Sequence, residues 1–130
     1  MSHSLKRLLS LRVMHFLVSR FSGSKVAWED REISRSLEIP IHLVLQILDE
    51  LVGSGIVSQV ALDRDKAFGY QPARDPEILT IKYVIDALEH RGINDIPVAG
   101  SEPLQKLSDN LNAFGELIEN SPANQRLKDI

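Results

Sequence analysis

The chain has 130 residues, 43% of them hydrophobic and 25% charged, which is typical of a globular domain that can bury a core of its own. It contains no cysteine, which excludes disulfides, thiolate zinc sites, cysteine nucleophiles and cysteine-bound iron–sulfur clusters. The net charge is −3, and no segment approaches the roughly 20 apolar residues of a membrane-spanning helix.

Three helices are predicted before residue 55. Leu5 to Phe21 carries apolar residues near the helical period, and a shorter helix runs from about Glu29 to Leu37 with its acids in the first turn. A third helix begins at Pro40, a favoured first-turn residue, and runs to about Val52. The sequence Gly53-Ser54-Gly55 then predicts a tight stop.

A hairpin follows the third helix. Ile56 to Leu62 and Ala67 to Gln71 are predicted strands, and Pro72 ends the second because it removes a ladder donor. Helix, short helix, helix and two-stranded wing is the order of a winged helix-turn-helix. The sequence therefore predicts an α+β fold that is mostly helical, with extra helices at its C-terminal end.

Two further helices are predicted by their caps. Thr80 caps a fourth helix and Ser101 caps a last one, from about Glu102 to Glu119. We expect a winged-helix domain over residues 1–92, a linker over 93–100, and a C-terminal helix with its tail over 101–130. The tail after Glu119 receives no assignment.

The third helix is the one that winged-helix proteins often place in the major groove of DNA. A helical wheel puts His42, Gln46, Asp49 and Glu50 together on its polar side. Two carboxylates on that face would repel phosphate, and residues 36–63 contain no Lys or Arg. The wing tip carries Arg64 and Lys66 as candidate phosphate contacts, but Asp63 and Asp65 alternate with them, which favours a solvated hairpin tip. We therefore expect no sequence-specific complex with nucleic acid.

No catalytic machinery is visible in the sequence. No two histidines have metal-ligand spacing on one helix, the acids are scattered, and no glycine-rich phosphate loop precedes a helix. We expect a protein that is not an enzyme and that holds no cofactor or metal.

The last helix carries an apolar seam. Its members follow the alternating three- and four-residue spacing of a coiled-coil interface; they are Leu104, Leu107, Leu111, Phe114 and Ile118. The third helix is apolar over more than half of its circumference. That apolar surface is larger than the first two helices and the wing are expected to cover. We expect the last helix to complete that burial, either on its own domain or on a second copy, which would make a homodimer.

Several short motifs, in order, resemble the C-terminal cytoplasmic domain of YihY/BrkB inner-membrane proteins, once labelled ribonuclease BN. The motifs are Leu37-Glu38-Ile39-Pro40 with Leu43-Val44, Gly53-Ser54-Gly55-Ile56-Val57, Tyr70-Gln71-Pro72-Ala73-Arg74-Asp75, Leu79-Thr80-Ile81, Asn120-Ser121-Pro122-Ala123-Asn124 and Leu127-Lys128-Asp129-Ile130. The resemblance covers nearly the whole chain. It implies the soluble part of a longer membrane protein, placed at the cytoplasmic face of the bacterial inner membrane.

Residues 33–92 are also similar to dimeric winged-helix repressors of the IscR type. The similarity rests on Gly69-Tyr70 at the end of the wing, on Ala73-Arg74-Asp75-Pro76 and on the helix start Leu79-Thr80-Ile81. The sensing members of that family carry cysteines after this helix. This chain has none, so the resemblance implies a regulator without an iron–sulfur cluster.

Three hypotheses about function result. The first is a non-catalytic interaction or regulatory domain of a YihY/BrkB-like membrane protein, whose partner is an unknown protein or its own membrane domain. The alternative is a DNA-binding transcriptional regulator of the IscR type. The third is a tRNA-processing ribonuclease, for which the residues show no machinery.

Overall fold

The computed structural model describes residues 1–24, 26–63, 67–90 and 97–130. In these ranges it has five α-helices, a two-stranded antiparallel sheet and two short 3-10 helices. In chain order these are α1 (His3–Ser24), α2 (Asp30–Leu37), α3 (Ile41–Gly53), β1 (Val57–Ala61), β2 (Phe68–Pro72), a 3-10 helix (Pro76–Ile78), α4 (Ile81–Glu89), α5 (Glu102–Glu119) and a second 3-10 helix (Leu127–Asp129). The predicted mostly helical α+β fold with a two-stranded wing is confirmed.

Local signals place α2 and α3. A capping box starts α2, where the backbone N–H of Glu29 donates to Glu32 Oε1 at 3.3 Å. The turn to α3 passes through Glu38, whose φ of 55° is left-handed. Ser34 Oγ supports that turn by donating to the Ile39 carbonyl at 2.6 Å. The turn therefore sets the angle at which α3 leaves α2.

The core is built around α1, which packs against α3, α4 and the wing. Its fully buried side chains come from α1, α2, α3 and α4 and from the segments after α3 and before α4; they are Val13, Met14, Leu17, Val18, Ile33, Val44, Ile47, Leu48, Leu51, Ile56, Leu79 and Val84. The buried side of α3 faces α1, α2 and β1. Within one chain the last helix therefore does not complete the burial of α3, because α5 has no buried residue; burial against a second copy stays a prediction.

The wing is tied to the helical body through an extra bridge. β1 and β2 pair from Val57 with Pro72 to Ala61 with Phe68. Trp28 exchanges both backbone hydrogen bonds with Tyr70, at 3.0 and 2.8 Å. Gly69 permits this approach, because a Cβ there would lie 2.7 Å from Ala27 Cβ. The wing therefore has a fixed base.

The tail after α5 returns to the domain, which the sequence did not predict. Leu127 is buried, with its N–H donating to the Leu79 carbonyl at 3.0 Å, and its short helix packs on α1. Arg126 pairs with Thr80 in a β-bridge. The tail thus anchors the C-terminal end of α5 to the domain.

Two predicted features lie wholly or partly outside the described residues. The wing-tip cations Arg64 and Lys66 are among residues 64–66, which the structure leaves undescribed. The predicted linker over 93–100 is described only from residue 97 onward. The division of the chain at residues 92 and 100 stays a prediction.

Candidate nucleic-acid interface

The solvent-facing side of α3 includes apolar residues that the helical wheel does not predict, and it lacks one predicted acid. His42, Gln46 and Asp49 are exposed, as the wheel predicts, but Ile41 and Leu45 are exposed as well, at 41% and 43%. These five residues are called the α3 face below. Its N-terminal half carries two apolar side chains, one imidazole and one amide.

Glu50 does not belong to that face. Its carboxylate forms an ion pair with Lys6 of α1, and its side chain is only 14% exposed. The prediction that two carboxylates would confront DNA is wrong, because the cation of α1 takes Glu50 to the flank of α3. Asp49, near the C-terminal end of the helix, is the carboxylate that remains on the α3 face.

The helix before α3 carries two exposed cations. Arg31 and Arg35 are both exposed on α2, one helical turn apart, so they share a side of that helix. The first helix of a helix-turn-helix crosses the DNA backbone, which is where such cations contact phosphate. The sequence analysis did not find this pair, because it considered phosphate contacts only on the third helix and at the wing tip.

Tyr70 lies at the base of the wing. The Tyr70 hydroxyl accepts a hydrogen bond from Gln59 Nε2 at 3.2 Å, and the residue is 9% exposed. Burial raises the pKa of this phenol, and the charges of Asp30 and Asp49 act in the same direction. The Tyr70 side chain is therefore uncharged at neutral pH.

The predicted seam of α5 is exposed along its whole length. Exposure runs from 43% at Leu104 to 66% at Leu111, with Leu107, Phe114 and Ile118 between, and α5 has no buried residue. Leu117, which the spacing did not include, is 72% exposed. The seam therefore does not pack on its own domain.

One lysine connects α5 to α4. Lys82 pairs with Asp86 on its own helix and lies 3.7 Å from Glu119 of α5. The hydrogen bond to Asp86 raises the pKa of Lys82. Together with the anchored tail, this contact holds the C-terminal end of α5 beside α4 and leaves the seam in solvent.

Other kinds of site were sought over the same residues. Within the described part of the chain, His, Asp and Glu side chains do not gather in threes as metal ligands would. No helix there combines the length and hydropathy that a membrane span requires. That the protein is not an enzyme and holds no cofactor stays a prediction.

No protein-family model matches the chain, and no curated protein matches it. Solved structures do match over nearly its whole length. IscR from T. potens has a TM-score of 0.63 at 19% identity, with 99% of this chain and 88% of that chain covered. CymR of B. subtilis, a global cysteine regulator, has a TM-score of 0.65 at 18% identity, with 99% and 95% covered. A candidate transcriptional regulator from Listeria innocua has a TM-score of 0.64 at 21% identity, with 99% and 85% covered.

These matches correct two expectations. The resemblance to the YihY/BrkB domain finds no support in them, whereas the IscR-type resemblance is supported at the level of the fold. The expectation of no sequence-specific nucleic-acid complex is contradicted, because the matched structures include one described as a candidate transcriptional regulator and one described as a candidate DNA-binding protein. At these identities the likeness shows the fold, and the fold of this chain is that of the winged-helix regulators.

Proposed function

We propose that the chain is a winged-helix transcriptional regulator that binds a specific DNA sequence through the α3 face. The observation that carries the proposal is the ion pair between Lys6 and Glu50. It removes a carboxylate from the C-terminal half of the α3 face. The N-terminal half, which recognition helices direct at base edges, contains no acid.

The residue types on that half suit direct readout of the major groove. The amide of Gln46 can bind adenine in bidentate fashion, and His42 offers a ring N–H. Ile41 and Leu45 can contact thymine methyl groups. Asp49, farther along the helix, can accept from a cytosine amino group. Such a face needs no lysine or arginine of its own if neighbouring elements hold the phosphates.

Arg31 and Arg35 supply that phosphate binding from α2. Both are exposed beside the α3 face, and phosphate contacts set register and orientation without reading sequence. In this proposal α2 binds the phosphates and α3 reads the bases. The absence of cations in residues 36–63 is therefore compatible with DNA binding.

The regulator acts as a dimer through the seam of α5. Each of these side chains gains roughly 1.5–3 kcal/mol on burial, so a fully exposed seam is costly for a free monomer. The alternating three- and four-residue spacing is self-complementary and suits a two-fold helix pair. A dimer would present two α3 faces to two half-sites about one turn of DNA apart.

The test is selection of bound sequences from genomic fragments at near-physiological salt, followed by fluorescence anisotropy with the selected site. We expect a Kd near or below about 10⁻⁸ M. Gln46→Ala should weaken binding to that site by roughly 1–3 kcal/mol and relax the preference at one base pair. Gln105→Ala removes the same side chain from exposed α5 and serves as the matched control.

The outcome that contradicts the proposal is a selection that enriches no sequence while the protein remains folded. That result would restore the hypothesis of an interaction domain without a DNA site. Equal affinity of Gln46→Ala and Gln105→Ala would contradict the assignment of the α3 face.

A further inference from the structure

A cavity of about 200 Å³ lies between α1, α3 and α4, on the side of α3 away from the proposed DNA contact. Lys6 and Arg7 of α1 line it, together with Glu50 of α3 and Glu89 of α4. Ile85 and Leu88 of α4 add apolar wall. The volume is below the roughly 300–1,000 Å³ of sites for drug-sized ligands, so the cavity suits a molecule the size of an amino acid.

The lining has two permanent cations and two carboxylates, and the two signs come from different helices. α1 supplies both cations, while α3 and α4 supply the acids. A purely anionic ligand would meet the acids, and a purely cationic ligand would meet the cations. A ligand that carries one charge of each sign complements both sides, and an aliphatic body would contact Ile85 and Leu88.

We propose that this cavity binds a small zwitterion, an α-amino acid with an aliphatic side chain, and that its occupancy lowers DNA affinity. Arg7 and Lys6 bind the carboxylate, since a guanidinium can hold it in bidentate fashion. Glu89 binds the ammonium group. The expected effect on DNA affinity rests on the proposed function, whereas binding of the amino acid in the cavity does not.

The coupling runs through the ion pair between Lys6 and Glu50. A bound carboxylate competes with Glu50 for Lys6, so Glu50 loses the cation that pairs with it in the unliganded chain. Glu50 lies one helical turn after Gln46, so a carboxylate released toward the α3 face approaches DNA phosphate. The ligand therefore favours the state that binds DNA less tightly.

Ligand binding is tested first, without DNA. The intact chain is titrated with each standard amino acid at millimolar concentration, by calorimetry and by thermal melting. We expect an aliphatic amino acid such as leucine to bind and raise the melting temperature. Isovalerate and isoamylamine, which each lack one of its charges, should not. Arg7→Gln should lose binding, whereas Arg12→Gln, on the same helix outside the cavity, should keep it.

Failure of every amino acid to bind overturns the inference, as does equal binding by either single-charge analogue or by Arg7→Gln. The coupling is tested next with the selected DNA site. The ligand should lower DNA affinity between about 5- and 150-fold, the usual range of allosteric coupling. Unchanged affinity at saturating ligand overturns the coupling. Absence of any DNA site, with ligand binding intact, instead contradicts the proposed function.

Discussion

Tyr70 of β2 connects the second strand of the wing to β1 and to the segment before α2. Its backbone pairs with Trp28, its hydroxyl accepts from Gln59, and its ring is 9% exposed at the base of the wing. Burial disfavours the phenolate and raises the pKa of the hydroxyl above the ordinary value of 10.0. The proton is therefore held more tightly in the folded chain than in the unfolded chain.

This difference predicts a loss of stability in alkali. Below pH about 10 both states keep the proton and the contribution of Tyr70 is complete; as pH rises through the folded pKa, the contribution is lost. Tyr70→Phe should therefore show a smaller fall in unfolding free energy between about pH 9 and 11 than the wild type, measured by denaturant titration. Tyr83→Phe, at a 38% exposed position, is the control and should follow the wild type. Parallel curves for all three proteins would refute the prediction.

At the scale of elements, the tail holds α5 to the domain through one buried side chain. Leu127 is 3% exposed, and its segment bonds to the carbonyl of Leu79 beside α4. Arg126 and Lys128 add ion pairs to Glu77 at the surface, which contribute little individually. The apolar side chain therefore provides most of the anchoring.

Leu127→Ala should lower the free energy of unfolding by roughly 2–5 kcal/mol, because it leaves a cavity in the core. Ile130→Ala removes an apolar side chain that is 58% exposed and should stay within about 0.5 kcal/mol of the wild type. Urea denaturation of the three proteins measures both values. A loss under 1 kcal/mol for Leu127→Ala, on the order of a surface change, would show that the tail is not anchored by burial.

The seam of α5 is the second element whose role can be tested directly. Leu111→Asp places a charge at the centre of the seam, and a charge is costly to bury without a partner. We expect this variant to sediment as a monomer at concentrations where the wild type is a dimer. Asn110→Asp adds the same charge at an exposed position beside the seam and should leave the dimer intact.

Wild-type protein that sediments as a monomer would contradict the dimer. If Leu111→Asp sediments as a dimer, as the wild type does, the dimer interface lies elsewhere. Thermal melts accompany the runs, since a variant that unfolds would also lose the dimer.

At the scale of the whole molecule, charge is distributed unevenly among the elements. The chain is acidic overall, yet α2, the helix before α3, exposes two arginines. The proposed binding of DNA therefore depends on where these cations lie and not on the net charge.

The role of α2 predicts a specific salt dependence. Arg35→Ala should weaken binding to all DNA sequences by a similar factor and lower the slope of log affinity against log salt by about one. Arg12→Ala, an exposed arginine on α1, is the control and should leave the slope unchanged. Loss of sequence preference in Arg35→Ala with an unchanged slope would instead assign Arg35 to base readout.

Most of the secondary structure could be predicted from the sequence, because its determinants are local. Thr80 Oγ1 and Ser101 Oγ accept from the backbone of Tyr83 and Leu104, as their cap positions predict, and α5 has the predicted bounds. The glycine turn after α3 leads into the wing. Caps, turns and periodicity act over a few residues, so the order of elements and the winged-helix architecture follow from them.

The site depended on contacts between residues distant in the chain. A helical wheel cannot show that Lys6 draws Glu50 away from the α3 face, or that Ile41 and Leu45 remain uncovered. The tail carries no periodicity, so nothing local indicates that Leu127 enters the core. Sequence alone determined which helices and strands form, since hydrogen bonding and capping are local. Only the tertiary structure decided which of their side chains are exposed on the α3 face, because ion pairing and burial join parts of the chain that are far apart.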